Sequence, residues 1–127
     1  EMFISKMKDL KPASLTIIGS VAGDRGRKSN YFYGAAKSMI DTYIQGARHR
    51  LSKSPIHLCI VKPGPTATPM TEGMDGNLQL ADPKNVALDI VKGIRNKKSV
   101  IYTPPRWRVV MMVVRNFPEF IFNKLNI

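Results

Sequence analysis

Two short apolar runs, Leu15 to Ile18 and Leu58 to Val61, flank one long stretch of helical periodicity, and this alternation constrains the fold more than any other feature of the chain. Between the runs, Ala36, Ile40, Tyr43, Ile44, Ala47 and Leu51 recur at three- and four-residue steps, the pattern of a helix with one buried face. Ser29 or Asn30 can cap it, Arg48, His49, Arg50 and Lys53 complement the dipole of its last turns, and Ser54-Pro55 breaks it. His57 to Val61 then reads as a central strand, short and continuously apolar as parallel strands are. Strand, helix and strand with short connections are the βαβ grammar of a doubly wound sheet. A further helix opens at Asp82-Pro83, a cap followed by proline at the first position. It buries Val86, Ala87, Ile90, Val91 and Ile94 and stops at Asn96, and a last strand, Ser99 to Thr103, ends at Pro104-Pro105. Ahead of all this, Met2, Phe3, Ile4, Met7 and Leu10 form a partial helical stripe closed by Lys11-Pro12, like the last turns of a helix.

The 127 residues suffice for one domain at most. Twenty Lys and Arg against nine Asp and Glu give a formal charge of +11, an excess that favours polyanions or phosphate-bearing ligands. The cations are not interleaved with the aromatic and glycine pattern of a nucleic-acid module, which argues against that partner. Cys59, the single cysteine, lies inside an apolar run and reads as a small buried side chain in a reducing compartment. His49 and His57 are the only histidines, so the chain has no metal-ligand pattern. No signal peptide and no run of eighteen apolar residues is present, and a cytoplasmic location is expected.

One stretch holds a reaction mechanism: Ser20 to Lys37, S-V-A-G-D-R-G-R-K-S-N-Y-F-Y-G-A-A-K. Tyr33 and Lys37 are four apart, on one face of a helix, where an ammonium beside a phenol favours its ionised form and makes it a usable proton donor or acceptor. Ser20 follows the first strand, at the sheet edge where α/β folds bind ligands. Arg25, Arg27 and Lys28 read as solvated loop charges, with a grip on a substrate phosphate as the lesser alternative.

These residues resemble the short-chain dehydrogenase/reductase family, whose pattern is a serine at a strand end and, thirteen residues later, Tyr-x-x-x-Lys opening a long helix. Ser20, Tyr33 and Lys37 fit without a gap. The resemblance implies the carboxyl-terminal part of a doubly wound, Rossmann-like α/β domain over residues 1–105, with an amphipathic helical tail over 106–127. It implies that the first βαβ units, the Gly-rich phosphate loop and the family's catalytic asparagine lie upstream of Glu1, and that this piece alone is inactive. The implied activity is NAD(P)-dependent transfer of hydride between a nicotinamide cofactor and a carbonyl or secondary alcohol. Tyr33 would be the acid and a cofactor contact, Lys37 its partner and a ribose contact, and Ser20 a hydrogen-bond donor to the substrate oxygen. Lys62 to Met70 leaves the second strand with three prolines and a glycine. In the family such a Pro-Gly turn meets the nicotinamide end of the cofactor, which brings in Pro63, Gly64, Thr66 and Thr68. The cofactor is NADP or NAD, with NADP slightly favoured.

Thr71 to Ala81, with Gly73, Gly76 and Met74, reads as a lid or a plain surface loop. Family members often pair through the long helix, which implies a homo-oligomer contact over 30–53. In the tail, Trp107, Val110, Met111, Val114, Phe117, Ile121 and Leu125 follow a helical spacing divided at Pro118, with Arg106, Arg108, Arg115 and Lys124 around them. Such a segment suits peripheral membrane contact, or else packs on its own domain as a pocket wall. Pro-Pro-x-Trp-Arg and V-A-G-D-R-G-R resemble a subgroup like the reductase component of decaprenylphosphoryl-ribose epimerisation, which points to a lipid-linked or lipophilic substrate. From another class, the chain could be a non-catalytic binding or membrane-associated module, or a basic nucleic-acid-binding domain.

Overall fold

The computed structural model describes residues 2–7, 12–73 and 79–125. Three parallel strands form one sheet in the order β1 (Ala13–Ile18), β2 (Ile56–Pro63), β3 (Val100–Thr103). Helix α1 (Met2–Met7) precedes β1, α2 (Tyr31–Arg50) connects β1 to β2, and α3 (Pro83–Arg95) connects β2 to β3. The tail forms α4 (Arg106–Asn116) and the four-residue α5 (Glu119–Phe122), divided at Pro118 as its missing N–H and fixed φ dictate. The fold is thus the expected layered α/β arrangement with a parallel sheet.

The strands run further than the apolar runs suggested, because backbone pairing and not hydrophobicity sets their ends. Strand β1 begins at Ala13, paired with Ile56, and β2 continues through Lys62 and Pro63, paired with Tyr102 and Thr103. Proline is tolerated there because it is the final strand residue, and the next amide, Gly64 N, donates to Thr103 O at 2.9 Å.

Alternation along β2 divides the core in two. Leu58 faces Ile4 and Ala47, with Leu15 and Leu51 alongside, so α1 and α2 cover one face. Cys59 and Val61 pack with Ile101 against Ile90 and Ile94, so α3 covers the other. Asp82 caps α3 as its sequence required, accepting from Lys84 N at 2.9 Å, and Asn96 is its C-cap. Asn30 occupies the N-cap position of α2 but makes no side-chain cap bond. Of the expected buried positions of α2, Ile44 and Ala47 are buried and Ala36 and Tyr43 are exposed.

Candidate active site

Strands β1, β2 and β3 are parallel, so Ile18, Pro63 and Thr103 all end on the same edge of the sheet, and the loops that follow them build the site. After β1 the chain makes one 3-10 turn, Val21–Gly23, capped by Ser20, whose Oγ accepts from Ala22 N at 3.1 Å. A hydroxyl that accepts from an amide keeps its own proton, so Ser20 retains an O–H to offer a ligand.

The turn sits directly on the start of α2. A β-carbon on Gly34 would stand 2.9 Å from Ala22 O, and one on Gly23 would stand 2.8 Å from the backbone carbon of Lys37. Both are closer than a side chain tolerates, so these two glycines are what let the serine turn and the tyrosine helix touch. Tyr33 and Lys37 lie on one face of that helix, with Lys37 Nζ 5.6 Å from the Tyr33 ring centre. Lys37 Nζ also donates to Ile18 O at 3.4 Å, which brings it to the end of β1, two residues before Ser20. Tyr33 is 41 % exposed. The geometry therefore brings Lys37, beside the Tyr33 ring, to the carboxyl end of β1, two residues before Ser20.

The loop after β2 is held as its prolines suggested. Thr66 Oγ1 donates to Gly64 O at 3.0 Å, Ala67 N to Ala81 O at 2.9 Å and Ala81 N to Pro65 O at 2.9 Å. Thr68 is exposed, and its backbone N–H is spent on Thr71 Oγ1 at 3.0 Å. Trp107, from α4, lies over Gly64, whose added β-carbon would overlap the indole Nε1. The lid assigned to Thr71 to Ala81 falls partly outside the described residues, since 74–78 are not among them; at its far end Arg106 Nη1 donates to Gln79 Oε1 at 2.9 Å.

The sequence reading missed a buried charge cluster beneath the serine turn. Lys62 is 3 % exposed, and its ammonium donates to Asp24 Oδ1 at 2.5 Å and to Asp41 Oδ2 at 2.7 Å. Tyr102 OH donates to the other Asp24 oxygen at 2.7 Å. Burial by itself disfavours the Lys62 ammonium, but its hydrogen bonds to both carboxylates outweigh this and hold its pKa above the ordinary lysine value. Burial, followed by the bond to Asp24, raises that of Tyr102. A signal was available: Lys62 continues the inward alternation of Leu58 and Ile60, and a lysine on a buried strand face needs carboxylates.

Arg25 corrects another expectation. It is no solvated loop charge: Nη1 donates to Val114 O and Phe117 O, each at 2.6 Å, and the guanidinium lies 3.8 Å over the Phe122 ring. These acceptors close the end of α4, where free carbonyls attract a cation. Two open concavities, of about 190 and 370 Å³, lie around α3, β3 and α4 and include neither Ser20, Tyr33 nor Lys37.

The short chain dehydrogenase model matches residues 1–78, which include the serine turn, the tyrosine helix and the Pro-Gly loop. The chain belongs to the short chain dehydrogenase family. An uncharacterised oxidoreductase of Mycobacterium tuberculosis is 32% identical over 119 residues, covering 94% of this chain and 48% of that protein. Another uncharacterised oxidoreductase, from Streptomyces coelicolor, is 31% identical over 112 residues, covering 88% of this chain and 44% of its own length. This short chain dehydrogenase chain thus spans about half the length of the curated relatives it matches. In fold it superposes on a short chain dehydrogenase of Burkholderia cenocepacia in complex with NADP, with a TM-score of 0.83 at 14% identity over 98% of this chain and 52% of the other. A short-chain dehydrogenase of Sphingobium yanoikuyae in complex with NADPH gives 0.70 at 21% identity over 91% and 50%.

Proposed function

We propose that the complete protein transfers hydride reversibly between NADP(H) and a carbonyl or secondary alcohol, with Ser20, Tyr33 and Lys37 as its catalytic residues. The observation that carries this is the position of Lys37, which reaches the carbonyl at the end of β1 while lying beside the ring of Tyr33. In the reduction direction the Tyr33 hydroxyl protonates the nascent alkoxide and Ser20 donates to the same oxygen, with the Lys37 ammonium beside the tyrosine ring. The cofactor, when bound, supplies the hydride. The donor set fits it: the Lys37 ammonium has three N–H bonds and commits one to Ile18 O, which leaves donors for ribose hydroxyls. NADP is favoured over NAD by the two structural relatives solved with NADP or NADPH. The Pro63-Gly64 turn, Thr66 and Thr68 stand on the same sheet edge and suit the nicotinamide end.

A lipophilic, lipid-linked substrate is the finer part of the reading. Of the two phrases that suggested it, V-A-G-D-R-G-R holds Arg25, which closes the far end of the helix that starts within Pro-Pro-x-Trp-Arg. Homo-oligomerisation through α2 is supported by an exposed apolar stripe, Phe32, Ala36, Met39 and Tyr43.

In the complete protein, Tyr33→Phe is expected to lower NADPH-dependent turnover of a ketone by at least about 10²-fold, the usual worth of a positioned general acid. Cofactor affinity, read by fluorescence titration, should stay within about twofold because the lost hydroxyl serves the substrate. Undiminished turnover would remove Tyr33 from the mechanism.

A further inference from the structure

We propose that Asp24, Asp41, Lys62 and Tyr102 form a buried positioning network that fixes the Ser20 turn against the Tyr33–Lys37 helix. The inference rests on reading Ser20, Tyr33 and Lys37 as catalytic; none of the four network side chains is assigned a contact with substrate or cofactor.

Each member belongs to a different segment, and together they join every element that carries the chemistry. Asp24 is the C-cap of the 3-10 turn whose N-cap is Ser20, and Gly23 N donates to Ser20 O at 3.2 Å, so the two ends of this turn move as a unit. Asp41 stands on α2 one turn after Lys37. Lys62 is the penultimate residue of β2, paired in register with Tyr102 of β3. One ammonium thus ties the serine turn to the tyrosine helix, and a phenol ties that turn to the far strand.

Asp24 is fully committed. Both oxygens of Asp24 are taken, one by Lys62 and one by Tyr102, and its side chain is 1 % exposed. A buried ion pair is a poor way to gain stability, because apolar residues of similar volume commonly do as well. What such a cluster supplies that apolar packing does not is direction: hydrogen bonds between charged groups fix atoms in place, whereas apolar surfaces slide. That distinction matters next to a reacting serine, where a displacement of about 1 Å can cost 10²-fold in rate.

The test uses the complete protein with two variants, Asp24→Asn and Tyr102→Phe. The second removes one hydroxyl and leaves the Lys62 pair, so it keeps the question answerable if the first fails to fold. Reduction of a ketone by NADPH should show kcat lowered by about 10²-fold in Asp24→Asn and by less in Tyr102→Phe, with KM and NADPH affinity within about twofold. Amide exchange at Ala22 to Asp24 should quicken about tenfold while that of Cys59 to Val61 is unchanged, reporting local release of the turn. If no ketone tested is turned over, the exchange rates decide. Full kcat in folded variants, unchanged exchange in the turn, or a rate loss that only follows the unfolded fraction would each overturn the proposal. The parent reading fails separately: it falls if Tyr33→Phe turns over normally, whereas an inactive Tyr33→Phe beside fully active network variants sinks the positioning role alone.

Discussion

Trp107 occupies the space that any side chain at position 64 would need, with its indole nitrogen where a β-carbon would stand. Gly64→Ala therefore forces the half-buried indole to move, an overpacking change expected to cost about 1–3 kcal/mol. The midpoint of urea denaturation should fall accordingly, and an unchanged midpoint would show that Trp107 yields freely. Titration of buried groups is a second matter at this scale. Burial raises Cys59, with Arg48 and a bond to Thr16 opposing it, and Lys62 and Tyr102 are also raised. A folded-state pKa above the unfolded one means that the folded chain holds its proton more tightly, so the stability it lends is present below the unfolded value and lost as pH rises through the folded one. With ordinary values of about 8.5 for Cys and about 10 for Tyr and Lys, all three signs agree. Stability from denaturant titrations should hold toward neutrality and decline above about pH 9. A stability that grew between pH 9 and 11 would contradict these directions.

Among the elements, α2 has the most to do. One side of it receives the serine turn through Gly34 and the core through Ile44 and Ala47, and another exposes Phe32 at 79 % and Met39 at 70 %. Large apolar groups in a continuous exposed stripe mark an interaction surface. If the stripe pairs two copies of the complete protein, Met39→Glu places like charges against each other and should shift the sedimentation coefficient to that of a smaller species. An assembly unaltered by Met39→Glu would move the contact elsewhere. The tail is divided: Met111 is buried and Trp107, Val114 and Phe117 are half-buried, while Val109, Met112 and Phe120 are exposed. No helix among the described residues is long and apolar enough to cross a membrane.

At the scale of the molecule, a three-stranded sheet with β1 on one edge offers one side of the crevice in which doubly wound folds bind dinucleotides. The 127-residue chain by itself is accordingly expected to show no micromolar affinity for NADPH in a fluorescence titration, and saturable micromolar binding would refute this. Much of that arrangement was legible in the residues. The βαβ grammar, the α3 cap at Asp82, the division at Pro118 and the grouping of Tyr33 with Lys37 follow from local rules: helical and strand periods, proline's missing donor, four-residue spacing. Local rules act over a few residues, and a chain states them directly. What only the tertiary structure decided were partnerships between distant segments. Asp24 met Lys62 and Tyr102 across 38 and 78 positions, and Arg25 met Val114 across 89. Nothing in a charge's immediate neighbours names its partner; the parallel register and the close seating of the serine turn on α2 bring those groups together, and burial then makes the pairing obligatory.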